Sequence, residues 1–77
     1  MKTKTIATSP TCGPCHMLKS KIEKLGLSVN IKDYSDPANH EWFVKHNIKT
    51  VPRLVIEDEE NVEIIQGIDE IIEAIKN

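Results

Sequence analysis

The stretch Thr11-Cys12-Gly13-Pro14-Cys15-His16 (TCGPCH) decides the interpretation of this 77-residue chain, because it contains both of its cysteines. Two residues separate the cysteines, and a histidine follows the second one directly. This spacing occurs in redox-active dithiols, in metal sites and in the C-x-x-C-H sequence that attaches c-type haem. A purely structural disulfide is the fourth interpretation. The rest of the chain has to distinguish between them.

The length of the chain predicts one domain, residues 1–77. Eleven isoleucines and only three aromatic residues indicate an aliphatic core. The net charge of −2 gives no indication of a nucleic-acid partner. Charge is unevenly distributed, since residues 1–53 carry a net +5 and residues 54–77 a net −7. This pattern fits a solvated acidic C-terminal part, and it also fits a basic surface near the cysteines that attracts acidic partners or favours a thiolate.

The first ten residues have lysines but no apolar segment of the kind found in signal peptides. No run of apolar residues approaches the length of a membrane span. We therefore expect a cytoplasmic monomer that does not bind a membrane. Thiols are kept reduced in the cytoplasm, so a cysteine pair there is more often catalytic or metal-binding than structural.

Apolar periodicity and turn residues predict seven elements. Gly26 is expected to end the first helix, Asp36-Pro37 to begin the second, and Asp69 to cap the third after Gly67 breaks the last strand. The predicted strands are residues 4–8, 27–32, 54–56 and 62–65, and the predicted helices are 13–25, a segment from 36 to about 46, and one from about 68 to 75. The order β-α-β-α-β-β-α predicts an α/β fold with a four-stranded mixed sheet and helices on both faces.

A redox dithiol fits this arrangement best, because Cys12 falls where the first strand ends and the first helix begins. The N–H groups and the dipole of a helix N-terminus favour the thiolate and lower the pKa of a thiol. Pro14 suits a first helical turn, and Gly13 would permit a close approach. Cys15 begins the apolar stripe of the helix, so we expect it to be shielded until it is needed.

The other interpretations of the two cysteines fit less well. A disulfide that closes a four-residue loop stabilises a fold by only about 2 kcal/mol. Haem attachment would need a distal ligand, for which Met1, His40 and His46 are the candidates. A zinc site would need His40 and His46 as third and fourth ligands, and these lie six positions apart on one helix, which does not bring them to one face. We read both histidines as surface or half-buried residues instead, and predict no metal.

The sequence also resembles the thioredoxin and glutaredoxin superfamily. Cys12-Gly13-Pro14-Cys15 has the same sequence as the active-site motif of thioredoxins. Thr50-Val51-Pro52 resembles the cis-proline loop of the superfamily, in the sequence that glutaredoxins have there. Gly67-Ile68-Asp69 is similar to the loop before the last helix in both groups. The resemblance covers essentially the whole chain and implies the minimal thioredoxin fold.

The resemblance implies a thiol–disulfide oxidoreductase that reduces protein disulfides. Cys12 and Cys15 would be the catalytic residues, and their redox-active disulfide would serve in place of a bound cofactor. Val51 would offer its backbone to an extended substrate, with Pro52 against the Cys12 sulfur. The residues implied to bind substrate are Gly13, Pro14, Thr50, Val51, Pro52, Gly67 and Asp69.

Three departures leave the electron donor open. Thr11 replaces a tryptophan, Ile6 replaces a buried aspartate that relays protons in thioredoxins, and Gln66-Gly67-Ile68-Asp69 lacks one glycine of the glutaredoxin glutathione-binding run. The partner that reduces the Cys12–Cys15 disulfide again is either glutathione or a flavoenzyme similar to thioredoxin reductase. A further alternative for the protein itself is a small redoxin that donates electrons to ribonucleotide reductase. Some group other than an acid at position 6, or water, must take the proton of Cys15.

Four side chains near these motifs carry weaker expectations. Arg53 either directs its charge towards the site or pairs with the acidic C-terminal part. His16 is expected at the surface rather than as a proton carrier, and Trp42 and Phe43 are expected to pack within the second helix.

Overall fold

The structure is a computed structural model, and it describes residues 2–76. A four-stranded sheet carries three α-helices and a short 3₁₀ turn, Pro37–Asn39, that precedes the second helix. In chain order the elements are β1 (Thr3–Thr8), α1 (Gly13–Leu25), β2 (Asn30–Asp33), α2 (His40–Lys45), β3 (Arg53–Glu57), β4 (Val62–Gln66) and α3 (Ile68–Lys76).

The strands lie in the order β2-β1-β3-β4. β1 and β2 are parallel, with Ile6 opposite Ile31, and the crossover between them contains α1. β3 runs antiparallel to both of its neighbours, with Leu54 opposite Ile6 on one side and Ile65 on the other. The predicted fold class, a mixed α/β sheet of thioredoxin type with helices on both faces, is confirmed.

Two hydrophobic clusters lie on opposite faces of this sheet. The first cluster lies under α1 and α3, and its buried members are Ile6, Leu18, Ile22, Leu54, Ile71 and Ile72. The second cluster lies under α2 and contains Ala7, Phe43, Ile48 and Val55. Trp42 and Phe43 therefore pack as expected, with Phe43 buried and Trp42 half-buried beside it.

Gly26 ends α1 as predicted. Its φ is +66°, a left-handed conformation that glycine adopts without steric cost, and the N–H of Leu27 donates to the carbonyl of Ile22. Because the backbone of Leu27 is hydrogen-bonded to the end of α1, it does not pair with β1, and the second strand begins at Asn30 and not at residue 27. Leu27 and Val29 still pack against the first cluster, which explains their apolar character without strand pairing.

The second and third helices also differ from the prediction at their starts. The Asp36 carboxylate accepts from the N–H of Ala38 as an N-cap should, but this cap begins the 3₁₀ turn and α2 follows it. The third helix begins at Ile68, so Asp69 lies within its first turn and is not its cap. The apolar residues Leu25 and Ile31 are exposed because they lie at a helix end and on an edge strand.

Within residues 2–76, none of the helices has the length and the apolar composition needed to span a membrane.

Candidate active site

The two cysteines form a disulfide at the start of α1, with their Cα atoms 5.2 Å apart. The loop from Thr8 to Cys12 connects the end of β1 to this helix. Cys12 is half-buried, whereas only 1% of Cys15 is exposed, because Cys15 is the first residue of α1 that faces inward. One sulfur is accessible from solvent and the other lies beneath it.

The backbone of α1 holds Cys12 as the N-cap residue. Cys12 has an extended conformation, and its sulfur accepts from the N–H of Cys15 at 3.2 Å. Pro14 occupies the first turn, where no N–H partner is needed. No acidic residue lies in this turn, so the helix dipole and the free N–H groups favour a thiolate when the disulfide is reduced.

Gly13 is not required by the local backbone. It does not have a positive φ, and a Cβ placed on it would meet nothing within 4 Å. The expectation that glycine is needed here for a close approach is therefore not supported by this conformation.

The loop before β3 faces the accessible sulfur. The peptide bond between Val51 and Pro52 is cis, and the Val51 carbonyl oxygen lies 3.6 Å from Cys12 Sγ. The Val51 side chain packs against the second hydrophobic cluster, which fixes the position of this carbonyl. Three of the predicted substrate-binding residues, Thr50, Val51 and Pro52, thus belong to the segment that meets Cys12.

Arg53 forms hydrogen bonds on both sides, and no ion pair with the acidic C-terminal part is seen within residues 2–76. Its guanidinium donates to Thr50 Oγ1 and to Gln66 Oε1. Thr50 belongs to the loop that meets Cys12, and Gln66 ends β4 directly before Gly67. Arg53 therefore ties together two segments in which the sequence predicted substrate-binding residues.

Two acidic side chains of α3, those of Glu70 and Asp69, lie at the start of this helix. Gly67 has a φ of +94°, and a Cβ placed on it would collide with the Glu70 carboxylate. The carboxylate of Asp69 lies 3.7 Å from Lys21 Nζ on α1, and most of its side chain is exposed. Gly67 and Asp69 thus take part in local contacts of α1 and α3, whether or not they also bind substrate.

Two buried polar residues escaped the sequence reasoning. Thr8, at the end of β1, is fully buried, and its hydroxyl has no hydrogen-bond partner within residues 2–76. His46 is buried and not half-exposed, because its ring packs edge-to-face on Trp42 and lies 2.8 Å from the Glu57 carboxylate. The two groups are in contact, but His46 Nε2 does not form a directed hydrogen bond within residues 2–76. The sequence around Thr8 and His46 does not indicate that they are buried, because their burial depends on residues distant in the chain.

The remaining polar residues near this end of the sheet have local partners. His16 is exposed, as expected, and its Nε2 lies 2.9 Å from the Pro10 carbonyl oxygen. Asp33, at the end of β2, has a lowered pKa because the backbone N–H and the hydroxyl of Ser35 donate to its carboxylate. Nowhere in the described part of the chain do three or more His, Cys, Asp or Glu side chains form a group that could hold a metal. His40 and His46 are therefore not brought together with the cysteines.

This fold and this cysteine pair define a small redoxin of the thioredoxin and glutaredoxin superfamily. The glutaredoxin family model matches residues 4–60, a stretch that contains both cysteines and the Val51–Pro52 bond. The chain therefore belongs to the glutaredoxin family. A comparison with curated protein sequences gives no match.

Two solved structures are similar to this one. The short form of thioredoxin f from spinach chloroplast has a TM-score of 0.74 and 26% sequence identity, over 97% of this chain and 73% of that chain. A structure described as a malarial protein has a TM-score of 0.65 and 12% identity, over 97% of each chain, and it supports the fold alone. Family membership and the close cysteine pair together indicate a thiol–disulfide redox function.

Proposed function

We propose that this protein reduces protein disulfides by a dithiol mechanism. The Cys12 thiolate attacks one sulfur of a substrate disulfide, forms a mixed disulfide and releases the other substrate sulfur as a thiolate. The Cys15 thiolate then attacks Cys12 Sγ, which breaks the mixed disulfide and releases the second substrate thiolate. The substrate gains two electrons and takes up two protons, and Cys12 and Cys15 lose two electrons to form the disulfide seen in the structure.

The observation that supports this proposal is the asymmetry of the pair beside the Val51 carbonyl. Cys12 is half-buried at a helix N-terminus, and Cys15 is shielded directly behind it. The Val51 carbonyl lies 3.6 Å from Cys12 Sγ, which supports a role in accepting a backbone N–H of an extended substrate strand. A structural disulfide would need neither an accessible sulfur nor a backbone acceptor beside it.

The electron donor within this proposal is a flavoenzyme like thioredoxin reductase, with glutathione as the alternative. The Glu70 carboxylate over Gly67 and the largely exposed Asp69 carboxylate place two negative charges at the start of α3, of which Lys21 offsets one. An anionic tripeptide would meet like charge there, which favours the flavoenzyme. The cycle fits a reducing compartment, and we propose the cytoplasm.

Two cysteine variants test the mechanism. Cys12→Ser should remain folded and lose all reduction of insulin disulfides with dithiothreitol as donor. Cys15→Ser should attack normally but accumulate one mixed disulfide per chain, which mass spectrometry detects as a covalent adduct. Insulin reduction by the Cys12→Ser variant at the rate of the unsubstituted protein would contradict the proposed function. Comparing turnover with a thioredoxin reductase and with glutathione plus glutathione reductase then identifies the donor.

A further inference from the structure

Thr8 has a buried hydroxyl that the disulfide form of the protein leaves unpaired. The residue has no exposed surface, and Oγ1 has no hydrogen-bond partner within residues 2–76. Its backbone is fixed, since β1 pairs with strands on both sides and the Thr8 carbonyl accepts from the N–H of Tyr34 at 2.8 Å. Nearly all buried polar groups in native proteins are paired, so an unpaired one requires an explanation.

The topology places this hydroxyl beneath the first turn of α1. Side chains alternate along β1, so Thr8 points to the same face as Ile6, which belongs to the cluster under α1 and α3. Because β1 and β2 are parallel, α1 runs back along β1, and its first turn covers the end of β1. The first inward residue of that turn is Cys15, and the next is Leu18, which packs in the same cluster as Ile6.

No other buried polar side chain in the described residues shares this face. The other two are Thr5, which is paired with Val55, and His46, which packs on Trp42, and both lie on the α2 side of the sheet. Position 6 is an isoleucine, so β1 supplies no acid here. The one charged side chain on this face of β1 is Lys4, at the far end, where its ammonium donates to the Ala74 carbonyl. On β2, Asp33 is the partner of Thr8 and lies on the same face, where its carboxylate accepts from the N–H and the hydroxyl of Ser35 and is near Lys19 of α1. The buried side chains that α1 and α3 contribute to this face are all apolar, apart from Cys15 itself.

We propose that, in the reduced protein, the Thr8 hydroxyl donates a hydrogen bond to the sulfur of Cys15 and stabilises its thiolate. This inference rests on the proposed function. A hydrogen bond to the charged form of a group favours that form, and burial otherwise opposes it. In the disulfide form, the Cys15 sulfur is bonded to Cys12 Sγ and is not a hydrogen-bond partner of this hydroxyl. Once that bond is broken, the charged sulfur of Cys15 is a stronger acceptor than a disulfide sulfur.

In the second step of the cycle, the Cys15 thiolate attacks Cys12 Sγ and the substrate thiolate departs. The Cys15 proton goes to water before the attack, and Thr8 holds the resulting charge without itself losing a proton. Thr8 thus acts on the resolving step and not on the first attack, because Cys12 has its own donor in the N–H of Cys15.

The matched pair Thr8→Val and Thr8→Ser tests this inference. Valine keeps the shape of threonine and removes the hydroxyl, whereas serine keeps the hydroxyl. The reduced proteins are mixed with dithiobis(nitrobenzoate), which releases one coloured thiolate when Cys12 attacks and a second when Cys15 resolves the adduct. The Cys15→Ser variant assigns the second phase, since it should show the first phase alone.

In Thr8→Val, the second phase at neutral pH should slow about tenfold and its pH profile should move up by about one unit, because one unit is a tenfold change in thiolate fraction. The first phase should keep its rate, and Thr8→Ser should restore the second. The oxidised Thr8→Val protein should be at least as stable as the unsubstituted one, since an unpaired buried hydroxyl has been removed.

A Thr8→Val variant whose second phase keeps its rate and pH profile would overturn the role of Thr8. So would an oxidised Thr8→Val protein that is markedly less stable, because the hydroxyl would then already have a partner in the disulfide form. Absence of both phases in the unsubstituted protein would instead contradict the proposed function, so the two failures are distinguishable.

Discussion

Individual residues of this site differ in how far the sequence predicts them. Cys12 and Cys15 are predicted well, because their chemistry depends on a local feature, the N-terminus of the helix they begin. Arg53 was expected either to direct its charge towards the site or to pair with the acidic C-terminal part, and its guanidinium bonds Thr50 of the site loop and the neutral Gln66. Gln66 becomes its neighbour only through the pairing of β3 with β4, so the sequence near Arg53 could not show this contact.

A contact of the same long-range kind joins His46, Glu57 and Trp42 on the α2 face. The Glu57 carboxylate accepts from the Trp42 indole N–H at 3.3 Å and lies against the buried His46 ring. Trp42 also lies under the Lys32 ammonium, 5.8 Å from its ring centroid. Glu57 is paired with Thr3 at the start of β1, whereas Cys12 follows the end of β1, so we assign these three residues to stability and not to the redox cycle.

We expect Glu57→Gln to lower the free energy of unfolding by about 1–2 kcal/mol, because the charged group that accepts from the Trp42 indole and lies against the buried His46 ring is replaced by a neutral amide. Urea unfolding, followed by the fluorescence of Trp42, the only tryptophan, measures the change. Glu59→Gln in the exposed turn is the control and should change stability by less than about 0.5 kcal/mol. Equal effects of the two substitutions would remove the proposed stabilising role.

At the scale of elements, the number, type and order of helices and strands follow from periodicity and turn residues, while several boundaries do not. The second strand was placed too early because Leu27 and Val29 alternate like a strand but complete the end of α1 and pack on the core. The 3₁₀ turn before α2 was missed, and Asp69 was wrongly predicted as the cap of α3, for a related reason. Caps and turns are set by hydrogen bonds of single residues, to which apolar spacing is insensitive.

Gly26 is the element boundary that the sequence predicted best, and it allows a quantitative test. Its φ of +66° is strained for any residue with a Cβ, so Gly26→Ala should destabilise the protein by about 1–2 kcal/mol. Gly13→Ala is the matched control, since Gly13 lies at the other end of α1 with ordinary φ and open space around it. Thermal unfolding should show a clear loss for Gly26→Ala and little change for Gly13→Ala; a reversed order would contradict this account of the helix end.

For the whole molecule, the sequence predicted the topology because few arrangements satisfy a β-α-β start followed by a hairpin. It did not predict how the core divides. The sheet separates two clusters, and the larger one lies under α1 and α3, beside Cys15. The disulfide closes a loop of four residues at the edge of this cluster, so most of the packing does not depend on it.

This division predicts the stability of the reduced protein. In the chain-entropy model, closing so short a loop contributes about 2 kcal/mol, a modest part of the roughly 5–15 kcal/mol that stabilises a typical domain. The reduced protein should therefore stay folded and lose no more than about 2 kcal/mol in urea unfolding. The Cys12→Ser/Cys15→Ser double variant, which cannot form the bridge, should behave like the reduced protein with or without a reductant. Unfolding on reduction would mean that the disulfide is a structural staple, and a protein that must be folded in both redox states could not then complete its cycle.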